Sequence, residues 1–151
     1  MIKILQNKNI DISNKIRAVF QLSYAVEAKL LKADHFPPLK RNIYEFLNSK
    51  NVFYGYSLNH ELVGVIEIDQ NSNSTHIQSL VVHPKFFRQG IAQKLIEYIF
   101  NIYNSKIFTV ETGVDNTPAI ELYKKSGFTE IKQWDTDYGI RKIRLEIKNE
   151  S

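Results

Sequence analysis

The chain has 151 residues, of which 43% are hydrophobic and 24% are charged, a composition typical of one soluble globular domain. It contains no cysteine, which excludes a disulfide framework, a thiolate-ligated metal site and a cysteine nucleophile. Its 20 basic and 16 acidic residues give a net charge of +4 and are scattered, whereas nucleic-acid-binding proteins usually concentrate Lys and Arg on one face. We therefore expect a single domain over residues 1–151, located in the cytoplasm, that binds neither nucleic acid nor a membrane.

The first fifty residues predict a short strand and two helices. Residues 2–5 are apolar and predict an edge strand. Asp11 or Ser13 can cap the helix that follows. The predicted buried stripe of this helix consists of Ile16, Val19, Phe20, Ser23, Val26 and Leu30. The helix should end before Pro37 and Pro38, and a shorter helix with Ile43, Phe46 and Leu47 on one side comes next.

Three antiparallel strands are predicted after these helices. Residues 52–58 and 62–68 have strand-like patterns on either side of Asn59-His60-Glu61, which indicates a hairpin. Residues 75–82 predict the third strand. Beyond Pro84 the period changes, because apolar residues recur at the three- and four-residue spacing of a helix, at Ile91, Ala92, Leu95, Ile96, Ile99 and Ile102. The pattern indicates a strand, a tight loop and a helix.

The last third of the chain predicts a strand, a helix and two more strands. A full helix separates residues 107–112 from residues 75–82, so these two strands should be parallel neighbours joined by a right-handed crossover. Thr117 can cap the next helix, with Pro118 at its first position and Gly127 at its end. Residues 128–133 and 140–147 give two final strands, and an exposed last strand can pair with a second chain, which leaves a homodimer open. The predicted fold is α/β with a mixed sheet, antiparallel except around the central crossover.

The loop before the central helix, residues 87–92, is a candidate phosphate site. The first turn of a helix has unpaired N–H donors and the positive end of the helix dipole, and both favour an anion. Arg88, Lys85 and Lys94 add positive charge near Gly90. The alternative is a plain turn, which is the more frequent role of one glycine between a strand and a helix.

Two motifs resemble those of a known enzyme family. Residues 82–92 read V-H-P-K-F-F-R-Q-G-I-A, similar to the signature Q/R-x-x-G-x-G/A, with Gly90 and Ala92 at the small positions and Phe87 where Arg or Gln is usual. Residues 116–128, N-T-P-A-I-E-L-Y-K-K-S-G-F, resemble N-x-x-A-x-x-L-Y-x-x-x-G-F. Both belong to the GCN5-related N-acetyltransferase (GNAT) family. The resemblance implies a sheet whose central parallel pair splays apart around the cofactor, with helices on both faces.

The resemblance also implies an activity and a set of site residues. The activity is transfer of an acetyl group from acetyl-CoA to a primary amine, which attacks the thioester directly in a ternary complex without a metal. The N–H of Leu80 would bind the thioester oxygen, and Tyr123 would protonate the departing thiolate. The full set of implied cofactor-binding residues is Leu80, Val81, Val82, Phe87, Arg88, Gln89, Gly90, Ile91, Ala92, Asn116 and Tyr123.

The base that deprotonates the amine has two candidates. A lysine-like amine has a pKa of about 10.4, so a base or an ordered water path is needed at neutral pH. A period of two places His76, Gln78 and Leu80 on one face of their strand, and some GNAT members have a glutamate at the position of His76. Glu67 on the preceding strand is the competitor. Either residue can equally be part of a half-exposed sheet surface.

In the resembled family, the amine pocket would lie between residues 27–39 and 134–138. Four acidic residues there can attract a cationic amine, and three aromatic residues can form an apolar wall: Glu27, Asp34, Asp135 and Asp137, then Phe36, Trp134 and Tyr138. Two other functions stay open. A non-catalytic acyl-CoA-binding module of the same fold is favoured by Phe87 and by the unsettled base, and a nucleic-acid-binding protein only by a pI of about 9.2.

Overall fold

A mixed sheet of seven strands runs through residues 1–149, the part of the chain that the computed structural model describes. The strands are β1 (Ile2–Leu5), β2 (Val52–Leu58), β3 (Glu61–Gln70), β4 (Ser74–Val82), β5 (Ile107–Gly113), β6 (Thr129–Asp135) and β7 (Arg141–Lys148). They lie in the order β1-β2-β3-β4-β5-β7-β6, with β4 and β5 parallel and the other neighbours antiparallel. The predicted mixed sheet and its central parallel pair are confirmed.

The order of the strands corrects one prediction. The last strand, β7, was expected to be an exposed edge that can pair with a second chain. It is internal instead, because it pairs with β5 on one side and β6 on the other. The edges of the sheet are β1, as predicted, and β6.

Helices cover both faces of the sheet. They are α1 (Ile10–Leu30), α2 (Ile43–Leu47), α3 (Ile91–Ile102) and α4 (Thr117–Lys125), with short 3₁₀ helices at Pro37–Lys40 and Pro84–Phe86. The first two α-helices and the inner face of β1–β4 form one apolar cluster, in which Phe20, Phe46 and Phe53 are fully buried. The other two helices pack on the opposite face around Leu95, Ile96 and Ile99. No helix within the described residues is both long and apolar enough to span a bilayer.

The N-terminal caps of two helices differ from the sequence predictions. Asn9 caps α1 and Asn116 caps α4, and in each case the side-chain oxygen accepts a hydrogen bond from the backbone N–H three residues later. The predicted caps, Asp11 or Ser13 for the first helix and Thr117 for the second, lie within the helices themselves. Asparagine is among the best N-cap residues, so both helices begin earlier than their apolar pattern indicates.

A β-bulge in β4 changes which side chains share a face. Leu80 pairs with Ile66 and Ile77 pairs with Ile68, so one extra residue of β4 fits between these two pairs. Because Ile66 and Ile68 lie on the same face of β3, Leu80 and Ile77 share the matching face of β4. His76 therefore lies on the opposite face from Leu80. The prediction that these two residues share a face is wrong, since a bulge breaks the period of two.

Candidate active site

The parallel pair β4 and β5 separates part-way along its length. Their pairing runs from Ser74 with Ile107 to Ile77 with Val110 and ends there, although β4 continues to Val82 and β5 to Gly113. A cleft of about 510 Å³ opens beyond this point. Main-chain groups on this edge of β4 are therefore free of β5, as the splayed strands of the sequence prediction require.

The walls of the cleft come from several parts of the chain that are distant in sequence. Residues 77–80 of β4 and 110–113 of β5 form its floor, and α1 and the loop containing Pro37–Lys40 cover it. Tyr123 from α4 and Tyr138 and Ile140 from the loop before β7 close the remaining side. Of the residues predicted for the amine pocket, Glu27, Phe36 and Tyr138 line this cleft, whereas Asp34, Asp135 and Asp137 are exposed outside it.

Tyr123 is a buried tyrosine in the wall of the cleft. Its position on α4 leaves only 5% of the residue exposed, and its ring packs edge-on against Phe128 with 5.8 Å between centroids. Burial raises the pKa of the Tyr123 hydroxyl well above its ordinary value of 10, and the nearby charge of Glu27 adds to the rise. The hydroxyl therefore holds its proton at neutral pH.

Glu27 is one of three glutamates that line the cleft, together with Glu45 and Glu111. It projects from α1 beside Tyr24, and burial raises its pKa from 4.5 to about 7. Two neighbours oppose this rise by stabilising the carboxylate: the Lys142 ammonium, and a hydrogen bond that Asn116 Nδ2 donates to Glu27 Oε1 at 2.8 Å. From sequence this residue was expected only to attract a cationic amine.

Asn116 connects α1 and β5 to the start of α4. Its Nδ2 donates to Glu27 Oε1 and, at 3.2 Å, to Thr112 Oγ1, while its Oδ1 accepts from the Ala119 N–H at 3.3 Å. Both polar ends of the side chain are thus engaged within the protein. Its predicted contact with the pantetheine arm of the cofactor stays a prediction.

Glu67, the second candidate base, is anchored elsewhere. It has no exposed surface, and its two oxygens accept hydrogen bonds from the Arg41 guanidinium at 2.7 and 2.9 Å. Asn51 Nδ2 donates a third at 2.8 Å. The same guanidinium lies 4.2 Å from the centre of the Phe46 ring. The pair therefore fixes the segment before α2 against β3, and Glu67 does not line the cleft.

His76, the first candidate base, lies on β4 opposite Thr109 of β5 and does not line the cleft. Its Nδ1 is 2.7 Å from Thr109 Oγ1 on β5. Burial lowers the pKa of the imidazole below its ordinary value, and the positive charges of Arg144 and Lys142 act in the same direction. The neutral imidazole is thus favoured at pH 7, but the bulge turns it away from the face of Leu80.

The loop before α3 has the backbone of an anion site. Arg88 and Gly90 both have positive φ, at 63° and 77°, and Gly90 is the N-cap of the helix. Gly90 has no side chain to cap the first turn, and no atom lies within 4 Å of where its Cβ would stand. The N–H donors at the start of α3 therefore face open space. Phe87, at the usual Arg or Gln position, is 41% exposed.

Comparison with known proteins identifies the family. Residues 16–128 match the family model described as "Acetyltransferase (GNAT) family". The chain belongs to the GNAT family. It is also 32% identical over 162 residues to the UPF0157 protein YqkA of Bacillus subtilis (strain 168), covering 99% of this chain and 47% of that protein. The chain thus spans about half the length of this relative.

Other proteins similar to this chain are acetyltransferases named for different substrates. The streptothricin acetyltransferase of Escherichia coli is 33% identical over 102 residues, which cover 65% of this chain and 57% of that protein. Among solved structures, the ribosomal-protein-S18-alanine N-acetyltransferase of Escherichia coli superposes with a TM-score of 0.77 at 17% identity, covering 98% of this chain and 92% of the other. The PaiA N-acetyltransferase of Thermoplasma acidophilum, solved with coenzyme A, gives 0.73 at 19% identity, covering 99% of each chain. At such low identity, these superpositions establish the fold and nothing further.

The GNAT family uses acetyl-CoA, and the geometry of this chain fits that molecule. The open edge of β4 at residues 78–82 can hydrogen-bond an extended pantetheine arm, and the positive-φ loop at Gly90 can hold a pyrophosphate. These contacts with acetyl-CoA come mainly from main-chain groups, so the absence of an Arg or Gln side chain at Phe87 is compatible with cofactor binding. Within residues 1–149, no cluster of three or more His, Asp or Glu side chains is arranged to hold a metal ion.

Proposed function

We propose that this chain transfers the acetyl group of acetyl-CoA to a primary amine, which attacks the thioester directly in a ternary complex. The cleft between the diverging ends of β4 and β5, with Tyr123 buried in its wall, carries this proposal. The free edge of β4 would hold an extended cofactor arm, and α1 with the Pro37–Lys40 segment would form the wall beside a second substrate. A double-displacement mechanism through an acetylated cysteine is excluded, because the chain has no cysteine.

Binding of acetyl-CoA is assigned mainly to backbone groups. Leu80, Val81 and Val82 lie beyond the end of the β4–β5 pairing, and their main chain would hold the pantetheine arm. The N–H of Leu80 would bind the thioester oxygen, because a fixed donor stabilises the negative charge that develops there. Residues 87–92 would hold the pyrophosphate, with Arg88 adding positive charge.

Tyr123 would supply the proton to the departing sulfur. Its raised pKa keeps the hydroxyl protonated, and its place in the cleft wall puts that proton next to the cofactor path. The two bases expected from sequence have less support, since Glu67 is held by Arg41 and Asn51 and His76 lies outside the cleft wall. Acetyl-CoA supplies the activated acetyl group, and the residues of the chain supply position and proton transfer.

Two measurements test the proposal. Calorimetric titration with acetyl-CoA, and with dephospho-CoA and ATP for comparison, tests the cofactor site despite Phe87. Release of free thiol is then followed with a polyamine, an amino acid, an aminoglycoside, and peptides with a free N-terminus or a lysine. Micromolar binding together with turnover of any of these amines supports the enzyme. Binding without turnover of any amine would favour the non-catalytic acyl-CoA-binding module.

The variant Tyr123→Phe tests the acid, with Tyr98→Phe on α3 as the matched control. We expect kcat to fall by about 10²-fold in the first variant, the lower end for loss of a positioned proton donor. The acetyl-CoA dissociation constant should stay unchanged, because the hydroxyl acts on the leaving sulfur. Equal activity of both variants would remove Tyr123 from the mechanism.

A further inference from the structure

We propose that Glu27 is the catalytic residue that accepts the proton of the amine, and that Asn116 positions it. This inference rests on the acetyl transfer proposed above and adds the missing base to it. Neither residue had this role in the sequence motifs: Glu27 lies outside them, and Asn116 was expected to contact the cofactor.

The placement of Glu27 satisfies what a base requires. Its carboxyl lies in the cleft wall together with Tyr123, close enough for the Glu27 charge to raise the pKa of that hydroxyl. Asn116 Nδ2 binds one carboxylate oxygen, Oε1, at 2.8 Å, and no other side-chain hydrogen bond to Glu27 occurs in residues 1–149. The second oxygen is therefore available to an amine or to one bridging water.

The charged and titratable groups around Glu27 come from several elements. The groups that interact electrostatically with its carboxyl are Tyr24 on α1, Tyr123 on α4, Lys142 on β7 and Tyr138 before β7. The charged or titratable side chains that line the rest of the cleft are His35, Lys40 and Arg41 before α2, Glu45 on α2 and Glu111 on β5. Arg41 is bound to Glu67, and Glu111 is bound to Arg144 at 2.9 Å. Lys142 stabilises the carboxylate, whereas burial disfavours it, and the balance leaves the Glu27 pKa at about 7. A base that titrates near the working pH is half ionised and accepts protons readily.

Asn116 links the base to the acid. It caps α4, and Tyr123 follows seven residues later, two helical turns along the same face. One side chain thus holds the Glu27 carboxylate and fixes the start of the helix that carries the Tyr123 hydroxyl. We therefore expect the distance between the two groups to depend on Asn116.

The proton balance of the reaction closes with these two residues. The Glu27 carboxylate takes one proton from R–NH₃⁺, and the nitrogen lone pair then forms the C–N bond to the acetyl carbon. The C–S bond breaks, and the sulfur takes the Tyr123 hydroxyl proton. The second proton lost by the nitrogen returns to Tyr123, and Glu27 releases its proton to solvent. Each turnover yields one amide, one thiol and one free proton.

The first test measures the Glu27 carboxyl directly and needs no amine. The protein is labelled with ¹³C at its glutamate side-chain carboxyls and titrated by NMR. We expect one carboxyl to titrate near pH 7 in the unaltered protein, to be absent in Glu27→Gln and to remain in the control Glu121→Gln, an exposed glutamate on α4. In Asn116→Ser, which keeps a capping oxygen but loses the amide donor, the titration should move to higher pH.

The second test follows kcat/KM against pH with acetyl-CoA and the reactive amine of the panel. We expect an acidic limb near pH 7 that moves up in Asn116→Ser, and a loss of about 10²- to 10³-fold in Glu27→Gln at pH 7. An unchanged limb in Glu27→Gln, or a limb lost only in His76→Ala, would overturn the assignment while acetyl transfer stands. If acetyl-CoA binds and no amine reacts, the acetyl transfer itself fails, and the base falls with it.

Discussion

Replacing Glu27 by Gln should stabilise the protein, but only at neutral and alkaline pH. The folded state holds this carboxyl in a buried cleft, and burial raises its pKa from 4.5 to about 7. The folded state therefore favours the protonated, neutral form. Glutamine has nearly the same shape and no charge, and its carbonyl can still accept the hydrogen bond from Asn116.

The sign and size follow from proton linkage. A carboxyl whose pKa is raised on folding costs nothing below pH 4.5, where it is protonated in both states. Between pH 4.5 and 7 the unfolded state ionises first, so the free energy of unfolding falls with rising pH. Above pH 7 the carboxyl is ionised in both states, and the free energy of unfolding is lowered by the full amount. At 1.36 kcal/mol per pH unit over the interval from 4.5 to 7, this amount is at most about 3 kcal/mol. Because Glu27 is only partly buried, we expect Glu27→Gln to gain about 1–3 kcal/mol there.

Urea unfolding at pH 4.5 and pH 8.5 measures this difference. The variant and the unaltered protein should have equal free energies of unfolding at pH 4.5, and the variant should have the higher one at pH 8.5. In thermal unfolding at pH 8.5, the same gain should raise Tm by about 2–4 °C per kcal/mol. Glu121→Gln, on the exposed side of α4, should show no such divergence. If the two proteins differ in free energy of unfolding by the same amount at both pH values, Glu27 is not desolvated in the folded protein. Its pKa would then be too low for the proposed base.

Three further substitutions test the fold around the site by urea unfolding. Arg41→Met should lower the free energy of unfolding by about 3–5 kcal/mol, because it leaves the fully buried Glu67 without its cation. Adding Glu67→Leu should recover most of this loss. If it does not, the burial of an unpaired charge is not the cause. Gly90→Ala should cost about 1–2 kcal/mol through its φ of 77°, since the space there is open. Gly64→Ala should cost about 1–3 kcal/mol, because the new Cβ would lie 2.8 Å from Ile91 Cγ2.

Most of the architecture could be predicted from local patterns. The change from strand period to helix period after Pro84 located α3, and the parallel arrangement of β4 and β5 followed from the helix between them. The bulge in β4 could not be predicted, because a single inserted residue depends on pairing with β3 and leaves no mark on composition. The hydrogen bond between Asn116 and Glu27 could not be predicted either, because the two residues are 89 positions apart in the chain.

The position of Glu27 did leave a signal in the sequence, although the predicted stripe of α1 concealed it. The prediction placed Val26 and Leu30 inside, but they are 40% and 42% exposed. The predicted stripe holds as far as Phe20, which is buried. Beyond it the residues that face inward are Tyr24, Glu27 and Leu31, at spacings of four, three and four from Phe20, and all of them line the cleft. A carboxylate on the buried stripe of a helix is costly, and this cost marks it as a candidate for function.

The capping role of Asn116 gives a physical reading of the second motif. An asparagine seven residues before a tyrosine is a helix cap followed by two turns, which place both side chains on one face of α4. A serine or aspartate would cap the helix as well, but neither has an amide donor for a carboxylate on another helix. Glu27 accepts a hydrogen bond from the Asn116 amide, so one residue both caps α4 and holds the proposed base. If Glu27 is the base, Asn116→Asp should be more damaging to turnover than Asn116→Ser, because it places a second negative charge beside the carboxylate while preserving the cap.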